Sequence, residues 1–149
     1  MSKTRIIGID FGMARIGISY SDETKTIAAP LITMKTDRKS EKTVQLLIDL
    51  LNKHQAEYKY QIEEIVIGLP LMMSGKMGML ADEVGHFVEL LKQAIAVPII
   101  KWDERLTSVL ADRALREGSF TRKKRAQYVD TVAAVIILQN YLDSKKRDD

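Results

Sequence analysis

The sequence predicts an α/β fold, a mixed five-stranded sheet with helices on both faces. Three observations carry that expectation. Residues 5–35 are rich in β-branched side chains and broken by short glycine-bearing or polar gaps. From residue 39 the apolar spacing changes from strand-like runs to a helical period. Beyond it, short apolar runs alternate with longer amphipathic segments, the pattern of strands joined by helical crossovers.

Residues 5–11 and 15–21 read as two strands, and Gly12 between them marks a hairpin. A third strand is expected over 27–35, where Pro30 favours an edge position because it cannot donate to a ladder. Val44, Leu47, Ile48 and Leu51 place a helix over 39–57. A fourth strand follows at 64–68, then a loop at 71–78. Leu80, Val84, Phe87, Val88, Leu91 and Ile95 give a helix over 79–96. A fifth strand at 98–102 precedes a helix near 107–117, which Gly118 would cap. A polar loop at 119–126 leads into a last helix at 127–143. Short turns imply an antiparallel meander, and helical crossovers imply parallel neighbours. The expected strand order is 3-2-1-4-5, the ribonuclease H-like arrangement. Residues 1–143 form one domain and 144–149 a polar tail.

Composition narrows the chemistry. With no cysteine, disulfide frameworks, thiol nucleophiles and thiolate zinc sites are excluded. Two histidines, His54 and His86, are too few for a three-histidine zinc site. Carboxylates are the abundant metal donors. The net charge is +3, but residues 101–128 hold eight Lys/Arg against four Asp/Glu, a local +4. That zone points to an anionic partner. The longest late apolar run, 132–138, has seven residues, whereas a membrane span needs about 20. No membrane partner and a cytoplasmic location are therefore expected.

Asp10 interrupts an apolar strand in Gly8-Ile9-Asp10-Phe11-Gly12. A carboxylate there needs a partner or a cation, since burying it alone is costly. Asp103-Glu104-Arg105 directly follows the fifth strand. Ligands of open α/β sheets gather at the carboxyl ends of strands; a bare acid-acid-arginine turn is also commonly just solvated, and spacing does not choose between Asp103 and Glu104. Asp130 opens the last helix on the face of Ala133, Ala134 and Ile137. Small alanines let a helix approach a sheet, which would bring Asp130 towards Asp10. Three converging carboxylates repel one another unless cations fill the cluster, so Mg²⁺ or Mn²⁺ is the expected cofactor. Arg122, Lys123, Lys124 and Arg125 precede Asp130 and would hold a polyanion beside it. Arg15 is a further phosphate-contact candidate. Ser74-Gly75-Lys76 is not a phosphate-binding loop, because six residues separate Gly68 from Gly75 and Met77 follows the lysine. Met72, Met73, Met77 and Met79 suit a pliable lip.

Several segments together resemble the YqgF/RuvX family. They are Gly8-Ile9-Asp10-Phe11-Gly12 with Arg15-Ile16-Gly17, Ile67-Gly68-Leu69-Pro70-Leu71, Asp103-Glu104-Arg105-Leu106-Thr107-Ser108, and Asp130 with Ala133-Ala134 and Ile137-Leu138-Gln139. The family is similar to Holliday-junction resolvases and has the ribonuclease H-like fold. The resemblance implies an acidic site of Asp10, Glu104 and Asp130, and a nuclease maturing the 5′ end of precursor 16S ribosomal RNA. Met72, Ser74 and Met77 depart from the polar and acidic residues usual in that family, so the substrate lip differs.

The leading expectation is therefore a metal-dependent endonuclease acting on structured RNA, as a monomer or weak dimer. A resolvase of branched DNA is the second reading. A non-cleaving nucleic-acid-binding assembly factor is the third. A sugar-kinase-type ATPase, hinted at by Asp10-x-Gly12, needs two such domains, and 149 residues supply one.

Overall fold

Alternation along the first strand sets the architecture. In β1 (Thr4–Phe11), Ile7, Ile9 and Phe11 enter one apolar cluster while Ile6 enters a second, on the opposite face. The computed structural model describes residues 3–12, 14–69, 75–103 and 122–147; at 69, 75–81, 103, 122–130 and 147 the backbone alone is described. β2 (Arg15–Ser21) and β3 (Ala28–Lys35) complete an antiparallel meander. Then come α1 (Ser40–Tyr58), β4 (Gln61–Leu69), α2 (Gly75–Ala94), β5 (Ile99–Asp103) and α3 (Arg122–Arg147).

The sheet order is β3-β2-β1-β4-β5, with β4 parallel to both β1 and β5. This is the expected 3-2-1-4-5 sheet, and the fold is ribonuclease H-like. Pro30 lies on edge strand β3, where its missing N–H costs the sheet nothing. On one face, α1 and α2 bury Val44, Leu47, Leu51, Val84, Phe87 and Leu91 against Ile7, Ile9, Ile16, Ile18, Ile65 and Ile67. On the other, α3 buries Ile137, Leu138, Tyr141 and Leu142 against Ile6 and Val66.

Several boundaries differ from the sequence expectation. β4 begins at Gln61 rather than residue 64, because its ladder to β1 continues from Thr4 past the end of the apolar run. α2 begins at Gly75, inside the segment expected to be a loop. α3 begins at Arg122 rather than residue 127, so the basic run is the first turn of a helix and not a loop. Lysine and arginine are good helix formers, and charge alone does not signal a loop. α3 also continues through Arg147. There Lys145 pairs with Glu64 and the Tyr141 hydroxyl donates to Glu64 at 2.9 Å, which anchors residues expected to be a frayed tail. The helix expected near 107–117 lies outside the described residues.

Candidate active site

Asp10 occupies the carboxyl end of β1, in register with Gly17 of β2 and Gly68 of β4. The row across the sheet reads Thr33, Gly17, Asp10, Gly68, Trp102. Residues paired across strands share a face. That face is the one covered by α3. Two residues earlier, a Cβ on Gly8 would stand 3.0 Å from the Ala134 carbonyl oxygen, and Trp102 packs edge-on against Tyr141 with ring centroids 5.5 Å apart. Asp10 thus has glycine on both sides within its row. Asp10 is half-buried, at the end of the sheet where ligands collect.

Helix α3 is pinned across this face. The buried Ser19 hydroxyl donates to the Ala134 carbonyl at 2.7 Å. One turn nearer the helix start, the Thr131 and Thr33 hydroxyls lie 2.6 Å apart. Further along, Gln139 accepts from the Ala28 N–H and donates to the Thr26 carbonyl, both at 2.9 Å. Tyr141 and Leu142 pack near the start of β4, so α3 runs antiparallel to β1. Thr33 belongs to the row of Asp10, so the backbone of α3 at position 131 is fastened to that row. Asp130 is the adjacent helical residue, four positions before Ala134 on the helical row that also contains Leu138. Sequence reading missed Thr33, Thr131 and Ser19 as the fasteners, because hydroxyl residues this common carry no motif.

β5 reaches this end with Trp102 opposite Gly68 and Asp103 opposite Leu69. Alternation assigns position 103 to the face of Ile67, away from the row of Asp10. Glu104 lies outside the described residues. Arg15 opens β2 and pairs with Lys35 of β3, one pleat beyond Gly17 and Thr33. Arg122, Lys123, Lys124 and Arg125 form the start of α3, which has no acid in its first turn. On the opposite face of the same sheet end lies a cleft of about 220 Å³, lined by Phe11, Thr36, Asp37, Arg38, Ser40, Thr43, Glu83 and Phe87. It does not include Asp10. The Asp37 carboxyl is held below the usual range by the Lys39 N–H, against a smaller opposing effect of burial and with help from Lys42.

A carboxylate at the end of the central strand, covered by a helix that follows the last strand, defines a ribonuclease H-like domain of the resolvase type. RuvC of T. thermophilus, solved in complex with a Holliday junction substrate, has this fold; it is 12% identical, with a TM-score of 0.55 over 96% of each chain. The profile of the RuvX family, described as "Holliday junction resolvase", matches residues 4–144. Two relatives bear the name "Putative pre-16S rRNA nuclease". The one from Protochlamydia amoebophila is 60% identical over 142 residues, covering 95% of each chain. That from Thermoanaerobacter pseudethanolicus is 43% identical, covering 95% of this chain and 98% of the relative. The chain belongs to the RuvX family of nucleases.

Proposed function

We propose that the protein is a metal-dependent endonuclease that processes the 5′ end of precursor 16S ribosomal RNA. The observation that carries this is the position of Asp10 at the carboxyl end of the central strand, between Gly17 and Gly68 and on the sheet face that α3 covers. The names of the relatives supply the substrate. Asp10, Glu104 and Asp130 would hold Mg²⁺ or Mn²⁺. An all-carboxylate donor set suits these hard cations. Glu104, rather than Asp103, is the acid that the family resemblance implies after β5. When bound, such a cation supplies charge stabilisation for the phosphodiester and a more acidic attacking water. The protein's own contribution is orientation: Asp10 is fixed by the central strand, while Ser19, Thr33 and Gly8 fix the seating of α3.

Arg122, Lys123, Lys124 and Arg125, with Arg15, would grip the backbone of the substrate. Among the described residues no helix is long and apolar enough to cross a membrane. The cysteine-free composition fits a reducing cytosol. In this reading the working unit is a monomer or weak dimer; Leu46 and Tyr58 are the large apolar side chains that α1 leaves exposed. The test is calorimetric titration of Mn²⁺ into the protein and into Asp10→Asn and Asp130→Asn. Binding by the wild type and loss in both variants is expected. Equal binding in all three would remove the acidic-site reading.

A second reading, resolution of branched DNA, is favoured by the description of the family and by the fold shared with RuvC. Symmetric paired nicks in a four-way junction would distinguish it.

A further inference from the structure

The cleft on the other face of this sheet end is built from unlike parts. Its volume is about 220 Å³, below the roughly 300 Å³ at which pockets for drug-sized ligands begin. It suits one flat ring system. The buried rings of Phe11 and Phe87, with centroids 4.8 Å apart, give it an apolar wall. Arg38 and Glu83, both exposed, stand at its rim. Among the described residues neither side chain has an ion-pair or hydrogen-bond partner. Asp37 also lines the cleft, but its carboxylate is engaged by the Lys39 N–H at 3.0 Å and by Lys42 at 3.7 Å. Glu83 is therefore the acceptor left open. Phe11 follows Asp10 in β1, and alternation sends their side chains to opposite faces. The cleft and Asp10 thus lie back to back at the end of the central strand, one residue or about 3.3 Å apart along it.

We propose that this cleft takes one unstacked base of the RNA strand, guanine above all, close to the phosphate at the acidic site. The inference rests on the nuclease reading above and gives that site a base preference. Exposed charges are ordinary on a surface, but these two meet over an apolar recess. Glu83 would repel a lone phosphate there, and Arg38 a lone cation. A nucleotide answers both, because its base edge donates and its phosphate accepts. Unstacked RNA bases are held in this way, with the ring against an aromatic side chain or guanidinium and the Watson–Crick edge hydrogen-bonded. A carboxylate only accepts. Guanine offers it two adjacent donors, N1–H and the 2-amino group. Adenine and cytosine each offer one amino group. The single N–H of uracil lies between two carbonyl oxygens, which a carboxylate repels.

The experiment is fluorescence anisotropy in metal-free buffer, at several KCl concentrations, with labelled oligouridine RNAs whose central base is G, A, C or U. It compares wild type, Glu83→Gln, Arg38→Gln and, as a control elsewhere on the surface, Glu57→Gln. Wild type is expected to bind the G-centred RNA several-fold more tightly than the all-U RNA, with A and C between. Glu83→Gln should lose the guanine preference, and Glu57→Gln should keep it. Arg38→Gln should weaken binding of all four and flatten the slope of log K against log salt by about 0.7. Both variants should melt with wild type, since both side chains are exposed. No guanine preference in wild type would overturn the proposal, as would a preference that survives in Glu83→Gln or is lost only together with folding. Cleavage is read separately. RNA cut by wild type with Mn²⁺ but not by Asp10→Asn, alongside equal affinities for the four RNAs, would overturn the cleft and keep the nuclease reading. A preference that depends on Glu83, with no cleavage, would keep the base site on binding alone and remove the nuclease reading.

Discussion

Gly8 and Ala134 touch backbone to backbone: a Cβ at residue 8 would lie 3.0 Å from the Ala134 carbonyl oxygen, 2.8 Å from the Leu138 Cβ and 2.4 Å from the Ser19 hydroxyl. This contact sets how closely α3 sits on the sheet, and so how position 130 is held above the row of Asp10. Gly8→Ala forces the helix outward or displaces the Ser19 hydroxyl from its bond to Ala134. Overpacking of this kind costs about 1–3 kcal/mol. Urea denaturation should register that loss, and nuclease activity should fall further than stability alone accounts for.

Asp10→Asn is expected to fold normally and to be at least as stable as wild type in EDTA. In the proposed site Asp10, Glu104 and Asp130 would repel one another without a cation, and removing one charge would relieve that. Wild type should gain melting temperature on addition of Mn²⁺, since a ligand bound only by the native state stabilises it, and the variant should not. Thermal melts of both proteins with and without Mn²⁺ check the pair of outcomes.

Much of this arrangement was legible in the sequence. The strand order followed from short turns between β-branched runs and from helical spacing between later ones, and Pro30 marked the edge strand. Asp10 stood out because a carboxylate is rare inside an apolar strand. The start of α3 was not legible: Arg122 to Arg125 read as part of a polar loop, because a run of cations carries no apolar period to mark a helix. The fasteners Thr33, Thr131 and Ser19 were hidden for another reason. Their bonds join residues 98 and 115 positions apart, which only the folded register brings together. The opposition of Arg15 and Lys35 was equally invisible, since it depends on the bulge that follows Ile18 in the β2–β3 register.

The basic first turn of α3 should govern affinity rather than chemistry. Four cations at a helix N-terminus oppose the helix dipole. Replacing Arg122, Lys123, Lys124 and Arg125 by glutamine should therefore leave the melting temperature unchanged or raise it. RNA binding should weaken with little dependence on base sequence, and the salt slope should flatten by about 0.7 for each lost single-strand contact. Anisotropy titrations at several salt concentrations measure both effects.

Acid should loosen the β2–β3 connection first. Burial would raise the Asp22 carboxyl, but the Ile27 N–H, the Thr24 hydroxyl and the Thr26 N–H together lower it to about 2. Its unfolded value is about 3.9, so the folded chain binds fewer protons between those values. The stability it contributes is complete above about pH 4 and is lost as pH falls towards 2. Asp22→Asn should be less stable than wild type at neutral pH, with the difference narrowing across that interval in acid denaturation curves.

The most direct test of the central claim is cleavage of a precursor 16S ribosomal RNA by wild type and Asp10→Asn, each with Mn²⁺ and with EDTA, beside a four-way DNA junction at equal ionic strength. Wild type with Mn²⁺ should cut the RNA near its 5′ end and leave the junction largely intact, and the other three conditions should cut neither. RNA cleavage that persists in Asp10→Asn or in EDTA would contradict the account, as would paired nicks in the junction with the RNA untouched.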